Sequence, residues 1–311
     1  MLARPARALA VGLALGAALL WATYYLFVLW ASPAAAPSAV LVYPFVVGGI
    51  AYAGYAVGTG HARAFLALWA SPAAYGRIGL LVAMQVGVLA ATYLAGPVDA
   101  SLLSLIGDVV ITPVIVAYLL GIGRAHVHTA LFAVGLVLSL VGGSLTIVAG
   151  GRLTTVTGWA WLAVVAVPFA VAFYFLLTAR ENERTAPSAV VAQSMLGAAA
   201  VTALLAPLLP GGLGGLVRVP AVPLALLALT GITSFFVAPV LYFVAIGRAG
   251  LVVPPMLMTA IPVFTLLLSA GILGIALPLL GVLGIPVAVA GALLALRGES
   301  AEDGPAVRAA G

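Results

Sequence analysis

Asp108 stands about halfway along the apolar stretch "SLLSLIGDVVITPVIVAYL", where an acidic side chain is hard to explain as solvated surface. Ser101, Ser104, Asp108 and Thr112 follow one another at i, i+3, i+7 and i+11, so a helix there carries all four on one face. A polar stripe that includes a carboxylate suits a water-filled path through a membrane, and intramembrane acids serve there as proton relays. The same Asp could instead be a structural group bonded to a neighbouring helix. Gln85 and Gln193 are the only glutamines, and each falls inside an apolar stretch, where an amide either lines a cavity or holds two helices together. Tyr24, Tyr25 and Trp21 form an aromatic set near the N-terminus, any one of which could stack on a substrate. Pro113, Pro239 and Pro262 break helix hydrogen bonding, and freed carbonyls near them could bind substrate or ions, although many membrane prolines only kink a helix.

Other residues offer less. His126 and His128 are two apart and point different ways on a helix, so no metal site is expected. The absence of cysteine removes disulfides, thiolate ligands and cysteine nucleophiles, and no cofactor motif stands out. There is no lysine and no GxxxxGK[ST] phosphate loop, which excludes an ATP-driven pump built from this chain alone. Gly12-x-x-x-Gly16 and Gly54-x-x-x-Gly58 fit close helix packing. Arg180-Glu181-Asn182-Glu183-Arg184 reads as a solvated loop whose charges need no function.

The elements that must position these groups are membrane helices. Of 311 residues, 65% are hydrophobic and 6% charged, against about 25% charged in a soluble domain. Ten apolar runs of spanning length follow one another, at roughly 8–30, 38–58, 73–95, 98–120, 127–150, 157–179, 187–208, 221–246, 250–272 and 274–296. Each is near the ~20 residues that cross ~30 Å of hydrocarbon as a helix. With the N-terminus inside, ten of the twelve arginines fall on the inner side and only Arg152 and Arg218 outside, as the positive-inside rule requires. Scattered arginines of this kind are no nucleic-acid signal. The expectation is a multi-pass protein of a prokaryotic plasma membrane with both termini cytoplasmic. Residues 298–311 are expected to be a disordered cytoplasmic tail.

The chain also repeats itself. "APSAV" occurs at Ala36–Val40 and at Ala186–Val190. At nearly the same offset Tyr25 falls on Tyr174, Tyr93 on Tyr242, Pro113-Val114 on Pro262-Val263, Gly135 on Gly284 and Gly142 on Gly291. Two halves are expected, at 8–150 and 157–297. Five helices in each is an odd number, so the second copy enters the membrane upside down. The fold class is therefore all-α integral membrane, with ten transmembrane helices as two inverted-topology five-helix repeats around a site near the midplane.

Three features resemble the EamA-type members of the drug/metabolite transporter superfamily. The first is the late segment of each half, "TYLAGPVDASLLSLIGDVVITPVIVAYLLGIG" and "LYFVAIGRAGLVVPPMLMTAIPVFTLLLSAGILG". The second is the Gly-punctuated closing helix, "GLVLSLVGGSLTIVAG" and "GVLGIPVAVAGALLAL". The third is Trp21 in an aromatic first helix. The family's Gly-Glu at the end of the fourth helix is replaced by Gly121-Ile122-Gly123 and Ala270-Gly271-Ile272, so no role of that carboxylate carries over. The resemblance implies a secondary transporter, often an exporter, moving a small metabolite or drug-like molecule through a central cavity, with protons as a candidate coupling ion. The pathway residues expected are Asp108, Ser104, Thr112, Gln85, Gln193, Tyr24 and Pro262. The alternative, a membrane-embedded enzyme acting on a lipid-linked substrate, usually needs a cluster of carboxylate, His or Arg residues in sizeable loops, which the sequence lacks. Substrate identity and oligomeric state stay open.

Overall fold

The computed structural model describes residues 4–94, 100, 101, 114, 118, 128–150, 158–182, 184–249, 257–274 and 279–297. Among these there is no β-strand, and the elements are helices joined by short turns. The long ones are α1 (Arg4–Ala31), α2 (Pro37–Gly58), α3 (Pro72–Leu94), α4 (Ala130–Gly150), α5 (Gly158–Asn182) and α6 (Pro187–Leu205). They continue with α7 (Ala221–Thr230), α8 (Ala238–Ala249), α9 (Ile261–Leu273) and α10 (Leu279–Arg297). A π-helical stretch, Gly231–Val237, joins α7 to α8 without a break, so 221–249 is one helical run.

Each apolar run expected from the sequence coincides with such a helix except 98–120, which lies outside the described residues apart from Ala100, Ser101, Val114 and Tyr118. Among the described residues five helical stretches are long and apolar enough alone to cross a bilayer: Ala8–Ala31, Pro37–Gly58, Pro72–Tyr93, Pro187–Leu208 and Ala221–Ala245. Shorter apolar helices stand at Ala130–Leu145, Met258–Ile272 and Leu279–Ala295. Large side chains such as Val137, Leu204, Leu267 and Leu283 project outward from them. An apolar exterior of that kind is the surface a lipid-facing protein presents. The tail, 298–311, lies outside the described residues.

Local sequence explains where helices start and stop. In both "APSAV" words the Ala is extended and the Pro that follows is the first helical residue, of α2 and of α6. Proline suits that position because its missing N–H would be unpaired there anyway and its φ is already helical. The C-terminal end of α9 is closed by Gly274 at φ +63°, a left-handed cap that favours glycine.

Packing is pairwise. The most extensive contact joins α4 to α10, followed by α2 with α6 and α3 with α5, and α1 lies along 221–249 and against α9. The α4–α10 seam is made of backbone. A Cβ on Gly135 would strike the Ala295 nitrogen and the Gly291 oxygen, and one on Gly142 would strike the Ala288 nitrogen and the Gly284 oxygen. Between the two crossings Ser139 Oγ donates to the Ala288 carbonyl at 3.2 Å. Among the described residues Gly12, Gly54 and Gly58, expected at close crossings, have nothing within 4 Å of where a Cβ would stand, and Gly16 meets only Leu241 Cδ1. Their spacing was right for a crossing, but the faces that carry them meet no neighbouring backbone.

Candidate functional site

A cavity opens between α1, α3, α5, α6, the 231–243 stretch and α9. About 130 Å³ of it is open to the centres of water-sized molecules. On that measure a single water needs about 10–15 Å³, so the space suits a small organic molecule. Trp21, Tyr24 and Tyr25 enter it from α1, and Leu81, Met84, Gln85 and Val88 from α3. Val171 and Tyr174 come from α5, and Val191 and Met195 from α6. Ser234, Phe235, Pro239, Tyr242 and Phe243 close the far wall, with Ile261 at the start of α9.

The α3 residues recur at i, i+3, i+4 and i+7, one face of a helix, which is why one element supplies four of them. The aromatic wall holds itself in place. The Tyr24 and Tyr25 rings meet edge to face at 5.3 Å, Trp21 meets Tyr242 at 5.3 Å, and Phe235 sits 5.1 Å from Phe45 behind it. Such pairs lock ring orientation as well as burying area.

The π-helical stretch contributes a polar feature. A π turn displaces the ordinary i to i−4 ladder and leaves carbonyls available, and such turns are frequent at functional sites. Here Trp21 Nε1 donates to the Ser234 carbonyl at 3.0 Å, and Ser234 Oγ donates back to the Leu20 carbonyl at 2.8 Å. This reciprocal pair ties α1 to the far wall. Across the cavity, buried Gln85 Oε1 has no hydrogen-bond partner among the described residues. An unpaired buried acceptor is costly, and a ligand donor or water would relieve it. No charged side chain lines the cavity among the described residues.

Sequence-predicted residues divide into four groups. Tyr24 and Gln85 line the cavity. Pro262 is buried beside the lining residue Ile261, at the start of α9. Gln193 lies elsewhere, fully buried, with its Oε1 accepting from Arg77 Nη2 at 3.4 Å. Asp108, Ser104 and Thr112 lie outside the described residues. Sequence reasoning missed Ser234, Phe235, Met84 and Met195. Ser234 carried a faint signal, since Thr230-Gly231-Ile232-Thr233-Ser234 is a weak helix former inside an apolar run. The charge run 180–184 also needs correcting. Arg180–Asn182 are the last turn of α5, and Glu181 Oε2 accepts from Arg77 Nη1 at 2.9 Å. Arg77 is fully buried and Glu181 partly so, its side chain 18% exposed. Among the described residues no three His, Cys, Asp or Glu side chains gather where a metal could bind. His61 Nδ1 lies 3.0 Å from Thr59 Oγ1 and 3.4 Å from Ser188 Oγ.

Comparison with known proteins agrees with this architecture. A crystal structure resembles the chain with a TM-score of 0.66 over 94% of this chain and 98% of its own. At 21% identity, that likeness is one of fold. No curated protein matches the chain by sequence. The model of the EamA-like transporter family matches residues 157–297. Over that segment, a little under half of the chain, the sequence is similar to that family, and the long apolar helices are those of a multi-pass membrane protein.

Proposed function

We propose that this chain is a secondary transporter that carries a small molecule through the cavity by alternating access, outward in the cell and in exchange for protons. The observation that carries the reading is the placement of repeat-related residues. Tyr25 and Tyr174, and Gln85 and Ser234, stand one repeat apart in sequence and line one cavity from opposite halves. A site built jointly by two halves is what alternating access needs, because rocking one half on the other exposes it to either side.

The helix contacts support two repeats, 8–150 and 157–297. Under an exchange of the halves α1 trades places with α5, and α3 with the 221–249 run. The contact of α3 with α5 then becomes the contact of 221–249 with α1, and both are present. The pairs α2 with α6 and α4 with α10 each map onto themselves, and both are present too. Ser139 meets Ala288 at a separation of 149 residues, the repeat register itself.

Asp108 is the proposed proton-binding group, and the polar stripe of Ser104 and Thr112 its path. Purified protein in liposomes, screened against metabolites for counterflow and for proton movement, tests the whole. Saturable counterflow of at least one compound is expected, with proton movement lost in Asp108→Asn while counterflow survives. Unchanged rate and pH dependence in Asp108→Asn would remove Asp108 from the mechanism, and absence of counterflow across a broad panel would sink the transport reading. Orientation is read separately, since the chain has no cysteine. Ser32→Cys should react with an impermeant thiol reagent from outside, and Ser300→Cys should not.

A further inference from the structure

The cavity-lining face of α3 does not end at Leu81. One turn earlier on that face stands Arg77. The lining face of α5 runs through Val171 and Tyr174 and reaches Thr178 and Glu181 at helical spacing. The Arg77–Glu181 ion pair therefore lies across the end of the cavity nearest the 182–187 turn, and Gln193 of α6 joins it from the side. Thr185 Oγ1 supports the other Glu181 oxygen at 3.4 Å. One partner belongs to the first half of the chain and the others to the second.

Two observations argue against a purely static role. A buried ion pair loses so much solvation that well-packed apolar residues would hold these helices as well or better. This one is also incompletely satisfied, since Arg77 Nε and Gln193 Nε2 have no hydrogen-bond partner among the described residues. Among the described residues the opposite end has no equivalent. One repeat away from Arg77, Glu181 and Gln193 stand Leu226, Ser32 and Pro44, which carry no charge, and Ser32 Oγ bonds within its own helix to the Leu29 carbonyl.

We propose that Arg77, Glu181 and Gln193 form a latch that closes the cavity toward the 182–187 end, and that Arg77 must leave Glu181 for that end to open. The proposal rests on the transport reading, and its test needs no substrate. Met84→Cys places a single thiol in the cavity, and Arg184→Cys, at an exposed position, marks the latch side. Impermeant thiol reagent is applied to vesicles of each orientation. In Glu181→Gln, labelling of the cavity thiol from the latch side should rise about tenfold, and labelling from the far side should fall. Reversing the pair, Arg77→Glu with Glu181→Arg, should restore the original balance. If Glu181→Gln does not accumulate in the membrane, Glu181→Asp withdraws the carboxylate by one methylene and is read the same way. Unchanged latch-side labelling in folded protein overturns the latch. An equal rise from both sides also overturns it, because general loosening has no side. A cavity thiol that labels from neither side in every variant counts against alternating access itself.

Discussion

The α4–α10 seam and the Arg77 end of the cavity both join the two halves of the chain, and they do so with opposite materials. At the seam, glycines bring backbone against backbone, with only the short Ser139 side chain between the crossings. At the cavity end, contact is made by the tips of long side chains, a guanidinium on a carboxylate and an amide. Backbone contacts cannot be released without moving whole helices, whereas a side-chain bridge opens by rotamer changes. The seam is thus suited to be the fixed line about which the halves turn, and the cavity end the part that parts and closes.

The sharpest way to break this contrast is at the seam. Gly142→Leu drives a side chain into the Ala288 nitrogen and the Gly284 carbonyl, atoms that cannot step aside. It should cost about 3 kcal/mol or more and leave little protein folded, as read from the monodisperse fraction after detergent extraction. Near-normal yield would show that the seam can yield. A middle-sized effect is expected at the cavity wall. Trp21→Phe keeps an aromatic ring but removes the pyrrole part of the indole and with it the hydrogen bond to the Ser234 carbonyl, which should cost about 1–2 kcal/mol. The fold should survive, with a small fall in melting temperature. A loss as large as that of Gly142→Leu would mean that the wall is as rigid as the seam. The smallest effect belongs to Gly54→Ala. Nothing lies within 4 Å of the added methyl, so stability should stay level or rise by up to about 1 kcal/mol. A fall would expose a contact at that face made only in another conformation.

Much of this was legible beforehand. Composition and run length marked the helices, because a chain with so few charges has only lipid to face. The register that pairs Tyr25 with Tyr174 was visible, and both tyrosines reach the cavity. Gln85 and Tyr24 could be read as candidates because a polar or aromatic group in an apolar run needs a reason. The Arg77–Glu181 bridge could not be read. Arg77 looked like a loop-side charge and Glu181 like part of a solvated run, and their meeting spans 104 positions that only tertiary packing closes. The glycine patterns failed in a related way. Spacing shows that two glycines share a helix face, but not which neighbour that face meets, so Gly12 and Gly54 drew notice that belonged to Gly135 and Gly142. The π turn at Gly231–Val237 was equally hidden, since its register is set by what Trp21 and Phe45 press against it.

The meeting of Ser139 with Ala288 reaches beyond this molecule. A contact between a residue and its own counterpart, flanked by Gly135 against Gly291 and Gly142 against Gly284, is what two identical chains make when they lie antiparallel around a dyad. Such an interface needs no covalent link between its sides, and a half-length ancestor able to insert in both orientations could have formed it as a homodimer. If two such halves were fused, each side of the dyad could then change without the other. Serine now stands on one side and alanine on the other, and a latch could be added at one mouth of the pathway and left out of its mirror image.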